Sequence, residues 1–244
     1  MSTPAAAAAD NNAQIFDGHD PEQIRLMQEM CIVIDRDDNQ IGVGSKKECH
    51  LMSNISATGL LHRAFSVFLF DDQGRLLLQQ RASEKITFPD HYTNTCCSHP
   101  LNVPDEIETT NSAIGVRRAA QRKLEHELGI PTSQVPLDEL VYLTRIHYLA
   151  PSDGLWGEHE IDYIFVFQTK TADKNVDLTN LNANEVRDVK YVTQEELKAM
   201  FADESVQMTP WFKLICETFL FKWWDNLANI KDFQDHSTIH RLGF

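Results

Sequence analysis

No stretch of this 244-residue chain holds the roughly 20 consecutive apolar residues that a membrane-spanning helix needs, so no membrane association is expected. The N-terminal run "MSTPAAAAADNNAQ" has no arginine and no apolar h-region, fits neither a secretory signal nor a transit peptide, and reads as a disordered tail. The final "HRLGF" is neither a prenylation nor a peroxisomal signal. Five cysteines with no repeated spacing give no disulfide framework, which favours a reducing compartment, the cytoplasm. A glycine-rich dinucleotide fingerprint is missing, so neither NAD nor flavin is expected. Positive charge is scarce: 22 lysines and arginines stand against 36 aspartates and glutamates, a net charge of −14. Without a basic face, a nucleic-acid partner is not expected. A phosphate-ester substrate would need a local cluster of lysine, arginine or metal to overcome that repulsion.

What is present is ordinary globular composition, 42% hydrophobic and 24% charged residues. With no internal repeat and no long linker, it predicts one α+β or α/β domain. Its expected span is residues 29–230, between an N-terminal tail (1–28) and a C-terminal tail (231–244). "DPEQIRLMQEM" predicts a short helix leading into a strand over Cys31 to Asp35. "AFSVFLF" (Ala64 to Phe70), the turn "DDQG" and "RLLLQQR" (Arg75 to Arg81) predict a hairpin. A second β region covers Leu140 to Ala150 and His159 to Gln168. Between them, "NSAIGVRRAAQRKLEHELGIP" predicts a helix with the apolar row Val116, Ala120, Leu124 and Leu128, stopped by Gly129 and Pro131. "TQEELKAMFA" and "PWFKLICETFLFKWWDNLANI" predict two more.

Five groups of residues could carry chemistry. "TNTCCSHPL" (Thr93 to Leu101) puts a histidine two residues after a pair of cysteines: half of a zinc site, a disulfide, a packed turn, or a nucleophile with a helper. A structural zinc finger is disfavoured because no second CxxC or HxxxH accompanies it. In "WGEHEIDY", a strand would place Glu158 and Glu160 on one face, roughly 6–7 Å apart. Two such carboxylates repel unless the edge is solvated or a cation or shared proton holds them. His50, His62 and His99, each unremarkable singly, would complete with these glutamates a three-nitrogen, two-carboxylate site. It would suit Mn²⁺, Zn²⁺ or Fe²⁺ better than Mg²⁺. Lys46, Arg81 and Lys85 are solvated charges or, together, the fork and point charges that bind a diphosphate. In "RKLEHELGI", Lys123 and Glu127 are spaced as a surface pair. This segment resembles the end of the Nudix box, but Lys123 and His126 replace glutamates, Glu108 and Ile114 fill the earlier glycine and glutamate positions, and of the metal-binding carboxylates only Glu127 survives. That pattern suggests a Nudix fold that no longer runs Nudix hydrolysis.

From about Met30 to Trp224, the ordered signatures "CHLM", "LLHRAFSVFLF", "LLLQQR", "KITFP", "TNTCCSHPL", "RAAQRKLEHELGIP", "RIHY", "APSDGLWGEHEIDY", "TPWFK" and "KWWD" resemble the type I isopentenyl-diphosphate Δ-isomerases, and "NEVRD" and "MFAD" are similar to fungal members. The resemblance implies a Nudix-type α/β/α sandwich with a mixed sheet, and an enzyme of isoprenoid and sterol synthesis that interconverts isopentenyl and dimethylallyl diphosphate. It implies Cys97 as acid/base on one face of the alkene, Glu160 with Tyr148 on the other, Trp211 against the developing cation, and Cys96 as packing. His50, His62, His99, Glu158 and Glu160 would hold one divalent ion (Mg²⁺, with Mn²⁺ or Zn²⁺ also suited to the histidines). Glu127 would contact a second Mg²⁺ on the diphosphate, which Lys46, Arg81, Lys85 and Ser98 would grip. The partner is then a small-molecule diphosphate, and the chain a monomer or weak homodimer. The alternatives are a Nudix diphosphate hydrolase and a catalytically silent metal-binding protein on the same fold.

Overall fold

The computed structural model describes residues 15–169 and 175–243. Its centre is the strand β3, His62–Phe70, buried along its whole length, as a nearly continuous apolar run requires. Its parallel neighbour is β8, Gly157–Gln168, in a register that runs from His62↔Glu160 to Phe70↔Gln168. The antiparallel strand β7, Val141–Pro151, lies beyond β8 with Tyr148 opposite Glu160. On the other side, β1 (Met30–Ile34) meets β3 at Val33↔His62 and pairs with β2 (Gln40–Ser45). The sheet is therefore mixed.

Alternation along β3 divides the core in two. Phe65, Val67 and Leu69 pack with Val116, Ala120, Leu124 and Leu128 of the helix α4, Thr110–Leu128. Phe68 and Phe70 pack on the opposite side with Trp211, Phe212, Trp223 and Trp224. This is an α/β/α sandwich, with α4 as one outer layer and the C-terminal helices as the other. The expected long C-terminal helix is a helix α6 (Pro210–Ile215), a π segment (Cys216–Leu220) and a short helix (Phe221–Trp224).

α4 stops at Gly129, which has φ +68°. A Cβ added there would lie 2.3 Å from the Asn180 carbonyl oxygen. Gly129→Ala is therefore expected to destabilise the fold by about 1–3 kcal/mol, read as a melting temperature lower by several degrees. An unchanged melt would show that neither the left-handed backbone nor the contact with Asn180 constrains this position.

Three expectations are redrawn by the packing. The predicted hairpin strands meet only at Phe70↔Leu76. Asp71 accepts hydrogen bonds from Gln73 N, Arg75 N and Arg75 Nε, which turn the chain. Then β4 (Leu76–Arg81) leaves to pair with β9 (Val186–Val192) and with β5 (Tyr92–Thr93). The edge of β3 so released takes β6, Cys96–Ser98. The tail drawn to residue 28 is shorter, because the short helix expected before the first strand belongs to the domain: Asp20 caps α1, Pro21–Leu26, which buries Gln23 and Leu26, and Met27 follows it into the core. Residues 1–14 of that tail lie outside the described residues. At the other end, Ile239–Arg241 pairs parallel with Arg145, Ile146 and His147 of β7.

Candidate active site

Sheet register assembles the site. Directly paired residues project to the same face, so His62, Glu160 and Tyr148 form a row across β3, β8 and β7. Glu158 and Asp162 share that face by alternation along β8. Cys97 sits opposite Ser66 across β3 and β6. The polar triplet Thr93, Asn94 and Thr95, fully buried, fixes the cysteine pair. Asn94 Nδ2 donates to Val67 O and Cys96 O, Thr95 Oγ1 donates to Leu77 O, and Thr93 Oγ1 meets Thr209 Oγ1 at 2.8 Å. His50 arrives on a short helix, α2 (Lys46–His50), started by a capping box at Ser45 and Glu48.

Five side chains converge on one point. The ligand atoms of His50, His62, His99, Glu158 and Glu160 all lie within 4.8 Å of one another and all five residues are buried. The three imidazole rings are 4.7–4.8 Å apart. His50 Nδ1 donates to Lys46 O at 2.6 Å, which turns Nε2 to the centre. His50 Nε2 is 2.6 Å from Glu158 Oε2, yet neither atom has an aligned hydrogen bond, nor does either nitrogen of His62. Buried polar atoms left this way are costly. Neutral imidazoles and ionised carboxylates aimed at a common point are what a divalent ion requires, so the residues fit one. Burial lowers His62, and lowers His99 strongly with His62 and His50 adding to it, which keeps both rings neutral. Burial alone would raise Glu158 and Glu160. The neighbouring histidines, with the Tyr148 hydrogen bond at Glu160, outweigh it and hold both carboxyls below their ordinary range.

Cys97, Glu160, Tyr148 and Trp211 line one cleft. Tyr148 Oη donates to Glu160 Oε2, and burial with the nearby Glu160 raises the phenol well above its usual value, so it stays protonated. Trp211 stacks on Tyr148 at 5.9 Å, meets Phe88 edge-on at 5.2 Å and donates its Nε1–H to Asn94. Burial pushes the Cys97 thiol up to about 12. Because a raised value favours the thiol over the thiolate, alkylation of Cys97 in metal-stripped protein is expected to keep accelerating through pH 9 to 10. A plateau near pH 9, with the Cys97→Ala background subtracted, would contradict this.

Lys46, Arg81, Lys85, Ser98 and Glu127 line the same cleft. Arg81 gives part of its fork to the following loop: Nε donates to Phe88 O and Nη2 to Thr87 O. Glu127 stands apart from the five-residue group and is held by Gln79 Nε2 and Lys123 Nζ, each at 3.1 Å. The expected surface pair of Lys123 and Glu127 is in fact buried, because α4 turns this side of the helix against the cleft and the segment leading into β9. Cys96, fully buried, points its thiol at Glu127. Sequence reasoning missed Asp162, which accepts from Ser66 Oγ at 2.8 Å and is raised by burial and by Glu160. The alternation that paired Glu158 with Glu160 also pointed to it. Glu185, on Lys85 at 2.6 Å, carried no local signal.

Residues 60–212 match the NUDIX domain. The chain is 58% identical to isopentenyl-diphosphate delta-isomerase of Candida albicans, over 98% of this chain and 88% of that protein. It is 60% identical to the isopentenyl-diphosphate delta-isomerase of Schizosaccharomyces pombe (91% and 95% covered) and 56% identical to isopentenyl-diphosphate Delta-isomerase 1 of Bos taurus (93% and 97%). A solved structure, DR0079 from Deinococcus radiodurans, shares the fold with a TM-score of 0.50 at 17% identity, covering 79% of this chain and 100% of that one. By domain, by identity and by coverage, the chain belongs to the isopentenyl-diphosphate delta-isomerases, a NUDIX family.

Proposed function

We propose that the chain interconverts isopentenyl and dimethylallyl diphosphate, with Cys97 serving one face of the alkene and the Glu160–Tyr148 pair the other. The observation that carries this reading is the meeting of Cys97, Glu160, Tyr148 and Trp211 on one cleft. In the forward direction a proton adds to the terminal methylene carbon, the electron pair of the double bond forms the new C–H bond, and positive charge appears on the tertiary carbon. Loss of a proton from the neighbouring methylene returns an electron pair to make the new double bond. An alkene is a feeble base, so the acid must be pressed against it and water kept out. Tyr148 donating to Glu160 supplies a proton relay on one side, and the protonated Cys97 an acid/base on the other. The Trp211 face offers its negative quadrupole to the cation, and Phe88 and Tyr148 close the wall around it.

His50, His62, His99, Glu158 and Glu160 would hold one divalent ion, whose charge offsets the two carboxylates and fixes the orientation of Glu160. The donor set suits Mn²⁺ or Zn²⁺ as well as Mg²⁺. Lys46, Arg81, Lys85 and Ser98 anchor the diphosphate, so that remote binding energy positions the alkene, and Glu127 would hold a Mg²⁺ brought in with the substrate. Chelation is expected to abolish turnover and divalent metal to restore it. His62→Ala is expected to lower bound metal measured by elemental analysis, and wild-type metal content in that variant would contradict the assignment. Five free thiols support a reducing, cytoplasmic setting, and the net charge of −14 supports a partner that is not nucleic acid.

A Nudix hydrolase reading is weakened by Lys123, which fills a box glutamate and is buried against Glu127. Incubation with isopentenyl diphosphate and Mg²⁺ separates the two. An isomeric allylic diphosphate supports the isomerase, and released phosphate without it supports the hydrolase.

A further inference from the structure

Behind the cleft lies a second buried cluster of charge. Lys85, Lys123, Glu127 and Glu185 are 8%, 3%, 4% and 2% exposed. Lys85 Nζ is 2.6 Å from Glu185 Oε2, and Lys123 Nζ is 3.1 Å from Glu127 Oε1 and 3.9 Å from Glu185 Oε2. Two ammonium groups face two carboxylates. Lys85 comes from the loop after β4 and reaches the cleft, whereas Glu185 comes from the segment just before β9.

The position of Glu185 is fixed from three elements. Its carbonyl accepts from Ala82 N at the end of β4 (3.0 Å) and its N–H donates to Asn182 O (2.9 Å). Asn182 N in turn donates to Glu127 O at the end of α4 (3.0 Å). From α1, Gln23 Nε2 donates to Glu185 Oε1 at 3.3 Å. A carboxylate placed this firmly, a hundred residues from the lysine it touches, suits a reference point better than a surface counter-ion.

Lys85 needs one. An ammonium removed from water tends to give up its proton, and a neutral amine has little hold on an anion. Burial lowers Lys85 to about 8, Lys46, Arg81 and Lys123 push the same way, and Glu185 opposes them. Of the three N–H donors of an ammonium, one is spent on Glu185 and the others remain for phosphate oxygens.

We propose that Glu185 is a positioning residue for the diphosphate: its carboxylate keeps the Lys85 ammonium charged and aimed into the cleft. This rests on the reading of Lys85 as a diphosphate contact. Removing Glu185 takes away the group that raises Lys85, so a larger neutral fraction appears as pH rises from 7 to 9 and binding weakens in step.

Steady-state kinetics with isopentenyl diphosphate and saturating Mg²⁺ test both layers. Lys85→Ala is expected to raise KM about 10-fold or more, and an unchanged KM there would sink the reading of Lys85 and the proposal with it. With that effect in hand, Glu185→Gln is expected to raise KM about 10-fold near pH 7.5 and further towards pH 9, with kcat changed far less. Adding Lys85→Arg, a guanidinium that stays charged, is expected to flatten the pH dependence. A parent-like KM across pH 7–9 in Glu185→Gln overturns the role of Glu185 while leaving that of Lys85 intact. Should Glu185→Gln not fold, Glu185→Asp keeps the charge one methylene shorter. A KM raised with the parent pH profile supports the proposal, and the parent KM overturns it.

Discussion

Replacing Cys97 by alanine is expected to lower kcat for isopentenyl diphosphate by about 10³-fold or more, with the melting temperature and substrate binding kept. Cys97 stands half-buried on β6 opposite Ser66, beside an aromatic wall of Tyr148 and Trp211. Its thiol holds a proton at neutral pH. An alanine methyl carries no proton, and the wall leaves little room for water to stand in. The strand pairing that fixes this position uses backbone atoms, which is why the fold is expected to survive. Cys97→Ser sharpens the test, because a hydroxyl keeps the shape but is a far weaker acid. Its kcat is expected to fall by about 10²-fold or more, measured by steady-state turnover alongside a binding isotherm for the diphosphate. Turnover at the parent rate in either variant would show that this face is assigned to the wrong residue.

Glu160→Gln is expected to be at least as severe, with kcat reduced by about 10⁴-fold and metal lost from the histidine site. One carboxylate meets His99 at 2.7 Å, His62 at 3.2 Å and the Tyr148 hydroxyl. The amide preserves its volume and removes its charge, so the two roles proposed for this carboxylate, ion-holding and proton relay, are expected to fail together. Tyr148→Phe separates them, since it deletes the hydroxyl and leaves all five ligand side chains in place. There a fall of about 10²-fold with normal metal content is expected, read by elemental analysis and turnover on the same preparation. If Tyr148→Phe lost its metal, or Glu160→Gln kept both metal and rate, the division of labour on this face would be wrong.

Local periodicity made much of this fold legible. The continuous apolar run of β3, the row Val116, Ala120, Leu124 and Leu128 facing it, and the Gly129 stop follow from spacing and backbone sterics, and the structure has them. The same-face placement of Glu158 and Glu160 follows from the two-residue period of a strand, and the structure has it as well. Spacing could not say which strands would lie side by side. The apparent hairpin diverges after one pair because β4 finds β9, more than a hundred residues later, and its departure opens the edge where Cys97 docks. His50 ends a helix, His62 opens a strand and His99 follows β6, with no shared period, so residue type suggested the group and spacing could not. Lys123 and Glu127 looked like a surface pair because helical spacing reports neighbours and not burial. Glu185 left no trace in the sequence, since its partners lie on β4, α4 and α1.

On the proposed reading, this site adds and removes protons at carbon and leaves the diphosphate intact. Incubating the protein with isopentenyl diphosphate and Mg²⁺ in deuterated water, and following the carbon-bound deuterium by NMR, addresses it directly. Dimethylallyl diphosphate with solvent deuterium in its methyl group is expected, with no matching release of phosphate and with loss of the label in Cys97→Ala and Glu160→Gln. Free phosphate without an allylic product, or an allylic product free of solvent deuterium at its earliest appearance, would contradict it.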